Sequence, residues 1–186
     1  MVVFDATILM LLLRPDVPTA RDPITQRPMD RAKDRIEHLV ACLEKSKTRI
    51  LIPTPVLSEV LVHAGESGPR ILEILNTTSA FRVVPFDQRA AVEVAALTQS
   101  ARATGDKREG GAGTWAKIKY DRQIIAMARV EQAVTIYSDD DNIRRFATPL
   151  GIEVIGIADL PLPPEDPQLE LGIKESGDPS NDEKDD

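Results

Sequence analysis

Several carboxylates in this chain stand where short apolar runs stop. Asp5 follows Val2, Val3 and Phe4; Asp139, Asp140 and Asp141 follow the run from Val134 to Ser138; Asp121 is read as opening the apolar helix Ile124 to Ala128. Glu59 sits within Thr54 to Leu61, just after the strand-like Ile50, Leu51 and Ile52. A lone acid on a surface means little. Acids at several buried strand ends point to one shared site, because the ligand crevice of an open α/β sheet lies beyond the carboxyl ends of its strands. Like charges gathered there resist ionisation, and a divalent cation relieves their repulsion. The chemistry is that of a magnesium or manganese site with oxygen ligands.

The elements that must position these acids alternate along the chain. Strand-like runs fall at Val2 to Phe4, Arg49 to Ile52, Phe81 to Val84, Val134 to Tyr137 and Ile152 to Ile155. Between them lie helical patterns, so the spacing predicts an α/β fold with a mostly parallel central sheet and helices on both faces. Asp30 to Lys45 carries Ile36, Leu39, Val40 and Leu43 at helical spacing, and Pro69 to Leu75 reads as a shorter helix. Thr54 is expected to cap a helix with Pro55 at its first position, and Asp87 to cap the Ala-rich segment ending near Ala101. Arg14 to Arg27 and Thr104 to Thr114 read as flexible loops, the second leading directly into Trp115, Lys117, Lys119 and Asp121.

Composition sets the outer limits. The 186 residues, 42% of them apolar, suit one globular domain. A single cysteine, Cys42, excludes an internal disulfide and fits a reducing cytoplasm. The run Ile8 to Leu13 is too short to span a bilayer and no basic leader precedes it, so neither a membrane anchor nor a signal peptide is expected. The net charge of −7 is unfavourable for a nucleic-acid partner until it is located: residues 161–186 hold nine acids and two lysines, leaving the remainder formally neutral. That remainder includes the acid cluster, so a compensating basic excess lies elsewhere on it. The tail, rich in Pro, Asp and Glu, reads as disordered and solubilising.

At this point a family resemblance becomes specific. The segments Val3 to Thr7, Pro53 to Glu59, Lys119 to Ala128 and Ile136 to Ile143, in this order and spacing, resemble the PIN-domain family, which includes VapC-type toxins of toxin–antitoxin pairs. The resemblance covers residues 1–158 and implies a three-layer α/β/α nuclease domain, with an acidic tail over residues 159–186. It implies a catalytic set of Asp5, Glu59, Asp121 and Asp140, with Asp5, Asp121 and Asp140 holding Mg²⁺ or Mn²⁺. Asp139 stays open as an alternative ligand, since the match of Ser138 and Asp140 to a hydroxyl–any–Asp pattern tolerates a slip of one residue. The activity implied is endonucleolytic hydrolysis of RNA phosphodiester bonds. A cognate antitoxin and a homodimeric partner are implied as well, the latter through Asp30 to Lys45 or Pro69 to Leu75.

Other residues are assigned around that core. Thr7, Ser138 and Asn142 offer hydroxyl and amide groups beside the acids, while Lys107, Arg108, Lys117, Lys119 and Arg122 are candidates for the sugar-phosphate backbone, with Arg144 and Arg145 in reserve. Trp115 is expected to pack, with stacking on a base as the other use. His63 shares a helical face with Glu59, yet a hard cation prefers oxygen. Two competing readings stay open: a haloacid-dehalogenase-like phosphatase, against which Asp5-Ala6-Thr7 lacks the second acid of Asp-x-Asp, and a non-catalytic PIN-like or receiver-like metal-binding module.

Overall fold

The computed structural model describes residues 1–14, 21, 25–103, 105–106, 108 and 110–164. Lys107, part of the Arg14 to Arg27 loop and the tail from residue 165 lie outside the described residues. Among the described residues five short strands, β1 (Val2–Phe4), β2 (Ile50–Pro53), β3 (Phe81–Val84), β4 (Thr135–Tyr137) and β5 (Glu153–Ile155), form one sheet in the order β3-β2-β1-β4-β5. Every pairing in it is parallel, with Val3 level with both Leu51 and Ile136. Among the described residues seven α-helices join the strands: α1 (Ala6–Leu13), α2 (Ala32–Lys45), α3 (Thr54–Ala64), α4 (Gly68–Thr77), α5 (Gln88–Ala103), α6 (Trp115–Val130) and α7 (Asp141–Ala147).

Strand order dictates the layers. The chain steps outward from β1 to β3, then returns across the sheet to β4 and β5. With right-handed crossovers this reversal sends α1 to α4 to one face and α5 to α7 to the other, giving the expected three-layer α/β/α arrangement. The helices within each set pack on one another, α1 on α2 and α3, and α6 on α5 and α7. The direction of winding changes between β1 and β4, and there the sheet leaves its crevice. Val3, Phe4, Leu51 and Ile136 are wholly buried beneath it.

Three local expectations change, at Thr54, Asp121 and Leu160, and one helix goes unread. Helix α1 gives no periodic signal because it is apolar all round: Ala6, Ile8, Leu9 and Leu11 are buried, and Met10, Leu12 and Leu13 pack partly against the core. Thr54 does not cap α3; Pro53 holds that position, and the Thr54 hydroxyl accepts from Phe86 N at 2.9 Å. Asp121 does not open a helix but lies inside α6, which starts six residues earlier because Thr114 Oγ1 accepts from Lys117 N at 3.2 Å. Asp87 caps α5 as expected, accepting from Ala90 N at 2.9 Å. Leu160, assigned to the tail, is buried in the core, and its carbonyl accepts from the Arg35 guanidinium. No helix among the described residues is long and apolar enough to cross a membrane.

Candidate active site

The site grows from the ends of β1 and β4. Asp5 leaves β1 as the N-cap of α1, with φ −81° and ψ 167°, and its Oδ1 accepts from Ala6 N at 2.7 Å. Its Oδ2 accepts from Ser138 Oγ at 2.7 Å. Ser138 sits just past β4 with no exposed surface, and the same hydroxyl oxygen accepts from Asp140 N at 3.0 Å. One serine therefore ties two acids from opposite ends of the sequence. Ser138 was expected at the substrate; instead it is wholly buried, with its hydroxyl committed to Asp5 and to the Asp140 amide.

Asp140 caps α7, with Oδ1 accepting from Asn142 N at 2.8 Å and from Ile143 N at 3.3 Å. That leaves Oδ2 turned toward the crevice, where it meets the Lys117 ammonium. Asp121, on α6, is buried, and its Oδ2 accepts from Asn142 Nδ2 at 3.1 Å. The Asn142 amide also clasps the backbone of Ala112, accepting from Ala112 N at 2.8 Å and donating to Ala112 O at 2.9 Å. Asn142 is thus spent on holding Asp121 and the Gly-rich segment, and is not free for a substrate. Gly111 is required at that junction: a Cβ there would stand 2.6 Å from Phe146 Cζ and 2.9 Å from Arg108 O.

Glu59 projects from α3, half-buried, into a cavity of about 490 Å³ shared with Ser58, Val62, Ala116, Lys117, Tyr120 and Asp121. Tyr120 and Ser58 were not singled out by sequence. The Tyr120 hydroxyl is fixed by Ser58 Oγ at 2.8 Å and by Pro55 O, which stations its ring in the cavity wall. Nothing in the residue pattern marks that role, because it depends on two helices meeting.

The electrostatics follow from burial and crowding. Burial, aided by the charges of Glu59 and Asp140, pushes the Asp5 carboxyl up to about 6 against the opposing hydrogen bonds from Ser138 and Ala6. Burial also raises Asp121, with Asp140 adding to the effect and Asn142 and Lys117 opposing it. Burial works against the charge on Lys117, but Asp140 and Asp121 outweigh it and hold the ammonium above its ordinary value.

Other expected residues lie elsewhere. Asp139 turns away: its Oδ1 accepts from Ile157 N at 2.8 Å, and it shares a separate recess with Asp141, Arg144 and Asp159. Burial raises its pKa, opposed by the Ile157 amide and Arg144. It is not among the carboxylates that face the crevice. Arg122 is 1% exposed, with its guanidinium 5.6 Å from the ring centroids of both Trp115 and Phe146, so it packs inside rather than waiting at the surface for phosphate. Trp115 accordingly serves packing. Thr7 is exposed on α1, and Arg108 is exposed in the Gly-rich segment, its amide bound to Asp106 Oδ1 at 2.8 Å. Lys119 is exposed but sits two residues from both Lys117 and Asp121, about 200° around the helix from each.

Among the described residues, no three His, Cys, Asp or Glu side chains converge closely enough to enclose a metal ion. The donor set nonetheless suits a hard cation. It offers carboxylate oxygens in an open cleft, negative charge in excess, and a cationic group, the Lys117 ammonium, already seated 3.4 Å from Asp121 Oδ1 and against Asp140.

Solved structures with similar folds include a FitAB complex bound to an IR36 DNA fragment, at 17% identity and TM-score 0.55 over 87% of this chain and 98% of that one. VapBC2 from Rickettsia felis bound to a promoter DNA fragment is similar at 15% identity and TM-score 0.56, over 84% and 98%. DNA-bound VapBC from Salmonella typhimurium is similar at 17% identity and TM-score 0.50, over 84% and 97%. At these identities the likeness is one of fold. No curated protein sequence matches the chain. The sequence model of the PIN domain matches residues 26–149, taking in Glu59, Asp121 and Asp140 but not Asp5. With more than half of its length matched, the chain belongs to the PIN-domain family.

Proposed function

We propose that this protein is a Mg²⁺- or Mn²⁺-dependent endoribonuclease. The family is one of nucleases that generally use divalent metals. The observation that carries the reading is the gathering of Asp5, Asp121, Asp140 and Glu59 where the sheet reverses its winding, near enough for the charges of Glu59 and Asp140 to act on Asp5 and that of Asp140 on Asp121, with hydrogen bonds that fix three of them. Asp5, Asp121 and Asp140 would hold the ion, and Glu59 extends the acidic wall. The ion, when bound, supplies Lewis-acid activation of water and neutralises charge developing on the phosphate. Ser138 keeps the Asp5 carboxylate aimed out of the β1 end, Asn142 does the same for Asp121, and the first turn of α7 orients Asp140. Arg108 and the mouth of the cavity offer a path for the RNA backbone.

The similar folds named above are complexes bound to DNA fragments. We extend this to a cognate antitoxin that covers the present chain, with a second copy of the chain as a further partner. A small open reading frame beside this one would support the toxin role, and its absence would favour a free-standing nuclease. For the chemistry, single-stranded RNA and DNA are incubated with purified protein and Mg²⁺ or Mn²⁺. Asp5→Asn and Asp121→Asn should each lose at least about 100-fold of the RNA cleavage while circular dichroism stays unchanged. Full activity in both variants would remove the nuclease reading.

A further inference from the structure

Lys117 occupies the acidic cleft with a charge that the chain itself provides. It lies one helical turn before Asp121 on α6, and its stem passes Gly113, where a Cβ would stand 3.3 Å from Lys117 Cδ. Its ammonium reaches Asp121 Oδ1 at 3.4 Å and Oδ2 at 3.5 Å, and touches Asp140 Oδ2. Among the described residues neither carboxylate makes any other ion pair. We propose that Lys117 is a displaceable counter-ion, holding Asp121 and Asp140 together in the metal-free protein and expelled when a divalent cation binds them. The proposal rests on the metal-dependent reading above.

Three features favour displacement over a permanent structural pair. A single positive charge set between Asp121 and Asp140 leaves the pair with negative charge in excess, and a divalent ion compensates more of that charge from the same place. Lysine placed N-terminal to its acid at this helical spacing is the weaker of the two orders, so the pair with Asp121 has little intrinsic strength. The Lys117 side chain is 45% exposed, which gives its ammonium water to return to on a flexible stem. Once expelled, the amino group still borders the 490 Å³ cavity with Glu59 and Tyr120. There it would meet the phosphate of an incoming strand, so one residue would guard the empty site and contact substrate in the loaded one.

The test titrates Mn²⁺ alone into the full-length protein by calorimetry. Lys117→Met should bind Mn²⁺ about fivefold more tightly than wild type, a factor equivalent to about 1 kcal/mol, the upper end for a half-exposed ion pair. Lys117→Arg, which keeps a cationic fork against both carboxylates, should bind no more tightly than wild type. Lys119→Met removes the same charge on the far side of the helix and should stay within about twofold of wild type. Unchanged or weaker binding by Lys117→Met overturns the proposal, as does equal tightening by Lys119→Met, which would reduce the effect to net charge. Mn²⁺ binding with unaltered affinity leaves the metal-dependent reading standing. Absence of Mn²⁺ binding in every variant overturns both.

Discussion

Replacing Asp5 by Asn should abolish cleavage and yet stabilise the metal-free protein at alkaline pH. Burial holds this carboxyl at about 6, against an ordinary value of 3.8. Between those values the folded protein binds more protons than the unfolded chain, so stability falls as pH rises through the window. Above it, the ionised Asp5 costs the fold about 3 kcal/mol, the gap between the two values taken at about 1.36 kcal/mol per pH unit. Asparagine removes that cost but not without loss. The carboxylate accepts from both Ala6 N and Ser138 Oγ, whereas an amide has one oxygen, and its NH₂ must face one of these donors. Rearranging that bond costs about 1 kcal/mol, leaving a net gain of about 2 kcal/mol. For a chain of this size the gain is a rise in Tm of roughly 4 to 8 °C. Thermal melts in EDTA near pH 8 and near pH 5 read it directly, and the advantage should shrink at the lower pH, where the wild-type carboxyl takes up its proton. A variant that melts at or below wild type near pH 8, or a gap that is the same at both pH values, refutes the reasoning.

Two further outcomes are expected. Asp140→Ala should impair turnover more than Asp139→Ala or Asp141→Ala, because Asp140 alone of the three meets the cleft; the reverse ranking in the RNA assay would show that the wrong member of the triplet has been assigned. Gly111→Ala should cost about 1 to 3 kcal/mol, since its methyl would collide with Phe146 and the Arg108 carbonyl. Its melting temperature should drop accordingly, and an unshifted melt would mean that the segment before α6 yields.

The strand ends were legible because apolar runs alternate with helical patterns along the chain, and the sheet order then brought Asp5 and Asp140 to one place. Their neighbours were harder to read. Asp139 and Asp140 differ by one position, yet the chain turns into α7 between them, so one side chain binds Ile157 N and the other meets Lys117. Residue type alone sends Arg122 to the surface, while Trp115 and Phe146, 7 and 24 positions away, bring it inside. Helix α1 hid because its periodicity is erased by burial on every side, and Asp121 passed for a helix start because the true start follows a Gly-rich segment with no apolar rhythm. In each case local pattern lost to contacts between parts of the chain that sequence does not place together.

The hydroxyl bridge from Ser138 to Asp5 spans 133 positions. During synthesis Asp5 emerges first, and its partner and the backbone amide that completes the bridge follow only after β4 has been made. At roughly 5 to 20 residues per second, about 7 to 27 s pass between them. Through that interval the growing chain carries Asp5 without the pairing strand that would aim it, and the cleft does not exist. Under the ribonuclease reading proposed above, a chain built this way would acquire its cleft only after β4 has been made, so the RNA that encodes it would meet no assembled site before then.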